Sequence, residues 1–289
     1  MNVKQKTTSQ DVHSFVASRM IEQLQLGIIP WIERYSEHPQ YINGYPMDYI
    51  NVLLLGTLGY PRKVFVTSKQ LKRNNITIKR GEKGFTIIGM RHGTCRPALY
   101  CTTVYHPVNF NGVYDDLLPT EKIERNPLKA CQKIVSGMPK LPRIIPDLAP
   151  AYYSLSSDSI KMPEQERFET KDQYYSSLFY VLAQSTGHPS RMKRPCSFYR
   201  SPDDPKSHTL EDLITEMTTG YLCNHAGIFP SFLIKYHSDC DGWLREIKRN
   251  KEMVVTGAMY AQESINYILN RNPMLNPIQT GVYSPKEAK

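Results

Sequence analysis

The chain has 289 residues, 40% hydrophobic and 22% charged, with a formal net charge of +9. That length has room for two ordinary domains, each with its own core, and the composition is that of a soluble globular protein. No apolar run is long enough to span a bilayer and the start, MNVKQKTTSQD, lacks a secretory signal's apolar core, so a cytoplasmic protein with no membrane partner is expected.

Two further counts narrow the class. Cys95, Cys101, Cys131, Cys196, Cys223 and Cys240 are scattered without a C-x-x-C pair, which reads as reduced thiols rather than zinc ligands or disulfides. Between Arg62 and Arg96 lie ten Lys or Arg against one acid, Glu82, so this segment carries the whole excess charge. A single basic block points to a polyanionic partner, where an evenly basic chain would suggest only solubility.

In chain order, apolar spacing predicts a helix over Asp11–Leu26, ended by Gly27 and followed by the turn GIIPW. A turn-rich loop over Ser36–Asp48 precedes a second apolar helix, Ile50–Gly59. A strand over Lys63–Val66 leads into a short helix opened by Thr67, with Lys69, Lys72 and Arg73 on its outer face. The tight turn Lys79–Gly84 separates strands at Ile76–Ile78 and Phe85–Gly89, and Leu99–Phe110 adds another. Prolines 119, 127, 139, 142, 146 and 150 then interrupt any periodic pattern, so residues 116–150 read as a linker. A hairpin over Ala151–Met162, a helix in the stretch Tyr174–Met192, and helices over Thr209–Ala226, Asp241–Lys248 and Lys251–Leu269 complete a second unit. The expected fold class is α+β. It comprises a small mixed α/β domain over 1–115, the linker, a mainly helical domain with a small antiparallel sheet over 151–270, and a flexible tail over 271–289.

The basic block brings together what single-stranded nucleic acid requires: cations for phosphates and flat rings for unpaired bases. Candidate contacts are Trp31, Tyr45, Tyr49, Arg62, Lys63, Lys69, Lys72, Arg73, Lys79, Arg80 and Lys83. In the turn KRGEKG, the glycines let backbone N–H groups approach a phosphate. The plainer alternative is a solvated basic face with Trp31 in the core. In the Tyr174–Met192 stretch, Tyr180, Gln184 and His188 share one helical stripe. A zinc hydrolase writes H-E-x-x-H on such a helix, two imidazoles for the metal and a carboxylate to activate water. This chain writes Tyr180-Val181-Leu182-Ala183-Gln184.

The runs YYSLSSDSIKMP (Tyr152–Pro163), YY…TGHPSRM and LEDLITEMTTGYLC (Leu210–Cys223) resemble the zincin-like metallopeptidase domain of the ArdC antirestriction family. That family's helix reads H-E-L-G-H followed by W-T-G-H-P-S-R. By this resemblance its two ligand histidines fall on Tyr180 and Gln184 and its catalytic glutamate on Val181, while Glu216 stands at the third-ligand position. The first half is similar to the family's N-terminal single-stranded-DNA-binding domain through GIIPW, INVLLL (Ile50–Leu55), VFVTSKQ (Val64–Gln70) and IKRGEKG (Ile78–Gly84). It departs where Met47-Asp48-Tyr49 replaces a Tyr-Arg-Gly triplet and Phe65 replaces a tryptophan.

A phenol and an amide are poor substitutes for two imidazoles, and valine cannot move a proton. The expectation is therefore no metal, no cofactor and no catalytic residue, with Glu211 and Glu216 on an exposed helix face or paired with Arg191. Charge, rings and the lost motif together predict a non-enzymatic, non-specific single-stranded-DNA-binding protein of a bacterial plasmid or phage, and the resemblance implies an antirestriction role, the protection of incoming DNA. A host restriction or defence protein is a further partner to consider. Two rivals stand beside it: a metal-dependent peptidase with rearranged ligands, drawing on His188, His208, His225 or His237, and a direct protein inhibitor of a host defence enzyme.

Overall fold

A computed structural model gives the structure over residues 9–34, 37–60, 62–91, 98–112, 126–195 and 208–271. The expected tail beyond residue 271, the first part of the expected linker and Arg96 lie outside these residues.

Helix α1 (Ser9–Gln25) buries Val12, Val16, Ala17, Met20 and Leu24 along one stripe. It stops at Gly27, whose φ of +77° is open to glycine and strained for other residues. The chain then forms β1 (Gln40–Tyr41), α2 (Tyr49–Leu55), β2 (Val64–Thr67), α3 (Ser68–Arg73), β3 (Phe85–Arg91) and β4 (Ala98–Tyr105). The sheet order is β1-β2-β4-β3, parallel between β1 and β2 and antiparallel elsewhere. Strand β2 is apolar without alternation because both its faces are covered. Phe65 packs with Tyr41, Leu55, Ile87 and Val104, while Val66 packs with Leu71, Ile76 and Phe110. The expected strand at 76–78 is only an isolated bridge from Ile78 to Phe110. At the edge strand β3, the Asn51 side chain donates to Ile88 O and accepts from Ile88 N, both at 2.8 Å.

The stretch read as a linker holds regular structure in its described part. Helix α4 (Pro127–Gly137) is capped by Asn126, and β5 spans Arg143–Pro146. Its prolines sit where they cost nothing: Pro127 at the first helical position and Pro146 at the end of an edge strand. Strands β6 (Tyr152–Ser154) and β7 (Ser159–Met162) form the expected hairpin, and β5 adds to β7 in parallel, so the sheet is mixed rather than antiparallel. Helices α5 (Lys171–Ser185), α6 (Leu210–Ala226), α7 (Ser231–Tyr236), α8 (Cys240–Arg249) and α9 (Glu252–Ile268) follow. Of these, α7 had no counterpart in the sequence reading.

The fold is α+β with two domains, yet their apolar interiors merge. One cluster joins Val12, Val16, Met20, Trp31, Tyr49 and Val52 to Leu213, Met217, Tyr221, Trp243, Val254 and Ala258. Helix α1 packs on α8 and α9, and α2 packs on α9. The first backbone N–H of α2, that of Tyr49, donates to Gln262 Oε1 of α9 at 2.6 Å.

Candidate nucleic-acid face and candidate metal position

In the first domain, the short α3 is held by a reciprocal cap. Gln70 N donates to Thr67 Oγ1 at 3.2 Å while the Gln70 side chain accepts from Thr67 N at 2.9 Å. Leu71 points inward, and Lys69, Lys72 and Arg73 are exposed. The turn 79–84 is pinned from behind by the segment 106–110. Lys79 N and Nζ donate to Asn109 O and Val108 O, both at 2.9 Å, and Asn109 Nδ2 donates to Glu82 Oε2 at 2.6 Å. His106 Nδ1 accepts from Val108 N at 3.2 Å, so its proton is on Nε2, which donates to Arg62 O at 2.8 Å. Burial holds this imidazole below its ordinary range, with Lys63 adding to the effect against the Arg62 bond.

The two glycines of the expected phosphate cradle stand in different backbone settings. Gly81 supplies a φ of +87°, and Gly84 lets the chain pass β4, where a Cβ would lie 2.6 Å from Val104 O. Arg80, Lys83, Lys79 and Arg62 are exposed around them.

Burial removes three sequence candidates from any surface role. Trp31 and Tyr49 lie in the shared core, and Lys63 is buried with its ammonium held below the usual lysine range by desolvation. Tyr45 is half-buried. Further half-exposed rings on this domain, which the sequence reading passed over, are Tyr60, Tyr100 and Tyr105. Tyr60 stacks on His106 with centroids 3.9 Å apart, and the Tyr100 ring lies across Gly89, where a Cβ would come within 2.3 Å of it. The alternation of LYCTTVY carried the signal for the last two.

In the second domain, Tyr180 and Val181 are buried in α5, with Gln184 beside them half-buried. Tyr180 packs on His237 and Phe232 with centroids 4.7 and 5.0 Å apart. Neither Glu216 nor Glu211 lies on an exposed face, and neither pairs with Arg191. Glu216 Oε2 accepts from the indole N–H of Trp31 at 2.9 Å and of Trp243 at 3.1 Å, while Oε1 lies 3.2 Å from His237 Nδ1. Burial pushes its carboxyl above the ordinary range, and the bonds from His237 and Trp31 pull it back.

Glu211 pairs with Arg194, whose Nε is 2.7 Å from Oε2 and whose second fork nitrogen meets Oε1. The same guanidinium donates to Thr186 Oγ1 at 2.6 Å and Ala183 O at 3.2 Å, closing the end of α5. Arg191 instead ties Asp158 at 2.8 Å, Ser185 O and Lys140 O, which fastens α5 to the hairpin.

These residues do not fit a zinc ion. A catalytic site needs about three N, O or S ligands with an open position. Here two of the matched positions are a phenol and an amide, and the third has its oxygens directed at N–H groups. The four histidines considered for a rebuilt site have other partners: His188 with Ser190, His208 with Asp239 at 2.9 Å, His225 beside Tyr221, and His237 with Glu216. Among the described residues, no three His, Cys, Asp or Glu side chains group to hold a metal. Ser190 Oγ and Asp158 both face His188 Nδ1, at 2.8 and 3.7 Å, so no proton relay through the two ring nitrogens is built. No helix among the described residues is long and apolar enough to cross a membrane.

Residues 10–109 match the N-terminal domain of anti-restriction factor ArdC, and residues 143–260 match a zincin-like metallopeptidase. The crystal structure of the antirestriction ArdC protein from plasmid R388 in its Mn(II)-bound form is similar over 90% of this chain and 97% of its own, with a TM-score of 0.74 and 25% identity. Its metal-free form gives 0.72 and 26% over 91% of this chain and 99% of its own. Two Escherichia coli proteins named DNA primase TraC are 25% and 23% identical over 89% of this chain. The chain spans only 27% and 20% of their lengths. With both family domains present in order and the ArdC fold spanning them, this chain belongs to the ArdC-like antirestriction family.

Proposed function

We propose that the chain binds single-stranded DNA without sequence preference and serves as an antirestriction protein of a bacterial plasmid or phage, acting in the cytoplasm by occupying incoming DNA. The observation that carries this reading is the set of exposed cations on α3 and the turn 79–84. The small core of Val66, Leu71, Ile76 and Phe110 underlies both elements. Half-exposed Tyr45, Tyr60, Tyr100 and Tyr105 supply rings for stacking. The antirestriction name and plasmid origin of the similar crystal structures support the role.

In this reading the second domain is a scaffold without peptidase activity. Val181 replaces the proton-transferring carboxylate, and such a base contributes about a hundred- to ten-thousandfold to rate. The Mn(II)-bound form of the similar ArdC structure favours a second reading, a peptidase with rearranged ligands. Metal analysis of the purified protein separates the two, since stoichiometric metal would support the peptidase.

Fluorescence anisotropy with labelled single- and double-stranded oligonucleotides tests the DNA reading. With about six phosphates neutralised, affinity for the single strand should fall roughly three-hundredfold between about 50 and 200 mM salt. The triple change K79E/R80E/K83E should weaken binding and flatten that dependence. Parent-like affinity in the triple variant would remove the turn from the interface. A shift without salt dependence would favour a protein target instead.

A further inference from the structure

The chain contains two tryptophans, and both donate to one oxygen of Glu216. Trp31 comes from the first domain and Trp243 from the second, and their rings meet edge to face with centroids 5.5 Å apart. Around them the turn after α1 runs along a single stripe of α6. Glu216, Gly220 and Asn224 are spaced i, i+4 and i+8, and each touches that turn. Glu216 takes the Trp31 indole N–H. Gly220 admits the Trp31 carbonyl, which a Cβ would approach to 1.8 Å. Asn224 Nδ2 donates to Glu33 O at 3.0 Å.

A carboxylate serving a metal turns its lone pairs to the ion. At Glu216 they face the N–H groups of two indoles and Nδ1 of His237, in a site where Glu216, Trp31 and Trp243 are at most 1% exposed. Turning Oε2 to a cation would leave two buried indole N–H groups without an acceptor, and turning Oε1 to one would break its contact with His237.

We propose that Glu216, the remnant of the metal triad, is now the joint that fastens the first domain to the second, with Gly220 and Asn224 completing the seam along α6. The proposal rests on reading the second domain as a scaffold without metal. It assigns the carboxylate a partner from the other domain in place of the ion. It also makes a chemical prediction for Glu216→Gln. The amide oxygen can accept both indoles, and the amide NH2 can donate to His237 Nδ1, provided the imidazole proton moves from Nδ1 to Nε2.

The test is thermal unfolding of the full chain followed by tryptophan fluorescence, for the parent, E216A, E216Q and W31F, each with and without added zinc. E216A should melt about 5–10 °C below the parent and W31F about 2–4 °C below, because buried donors or their acceptor lose partners. E216Q should melt close to the parent, and imidazole 15N spectra should show the His237 proton on Nδ1 in the parent and on Nε2 in E216Q. Zinc should shift none of these curves. If E216A fails to fold, E216Q and W31F still read the joint. E216A or W31F melting with the parent, or E216Q as damaged as E216A, would overturn the joint alone. Zinc raising the melting temperature of the parent but not of E216A would overturn both the joint and the metal-free scaffold.

Discussion

Arg194 is 5% exposed and directs its guanidinium at Glu211, Thr186, Ser264 and the carbonyl of Ala183. Replacing one member of such a pair strands the other charge in the interior, so Glu211→Ala should lower unfolding free energy by about 3–5 kcal/mol in urea denaturation. Its neighbour Arg191 shows how a motif can be legible while its use is not. The run TGHPSRM was readable as a segment following a metallopeptidase helix, and in the folded chain its arginine is a clamp on Asp158 and Ser185. Trp31 and Tyr49 teach the same lesson with the opposite sign. An aromatic beside a basic block suits stacking, but only tertiary packing decides whether the ring faces solvent, and here Trp31 meets α6 and α8 while Tyr49 meets α6 and α9.

The turn 79–84 depends on the neutral imidazole of His106, whose folded-state protonation is held low by burial. A histidine of this kind binds a proton more readily once unfolded, where its pKa is about 6.5. Its contribution is whole above that value and is lost as pH falls through it toward the folded value. Protonation also removes the acceptor of Val108 N. Hydrogen exchange at pH 5.5 should therefore speed up in residues 79–84 and 106–110 relative to pH 7.5, beyond the intrinsic pH effect, while the interior of α5 keeps its protection. His106→Asn should weaken the pH dependence of that difference.

Along α6, Gly220→Ala places a methyl against the Trp31 carbonyl. Overpacking of this kind costs about 1–3 kcal/mol, to be read as a lower urea midpoint. Helices with an apolar stripe, α1 and α9 among them, and those capped as well, α5 by Thr170, α6 by Thr209 and α8 by Asp239, were visible in the sequence within a few residues. Elements inside the proline-rich stretch were not, because the position of a proline at a helix start or a sheet edge becomes clear only once the neighbour is known.

Two family domains in sequence share one large apolar interior in space, beside which the first domain keeps two smaller clusters of its own. Val12, Val16 and Met20 of α1 and Val52 of α2 are covered by helices of the second domain. A fragment ending at residue 112 should accordingly lack cooperative unfolding and expose apolar surface to dye, whereas the full chain should unfold in one transition by circular dichroism and fluorescence. The order of the domains and the concentration of charge were legible, since both are linear properties of the chain. The merger was not, because an apolar helical stripe does not say which helices will cover it.

The pairing of Asn51 with Ile88 bears on how copies of the molecule behave toward each other. An outer strand with free amides and carbonyls invites a foreign strand to zip alongside it. At Ile88 a side-chain amide already fills both backbone groups, so a growing ladder would be interrupted midway along β3. Substituting Asn51 by Ala should thus be felt first as precipitation during concentration.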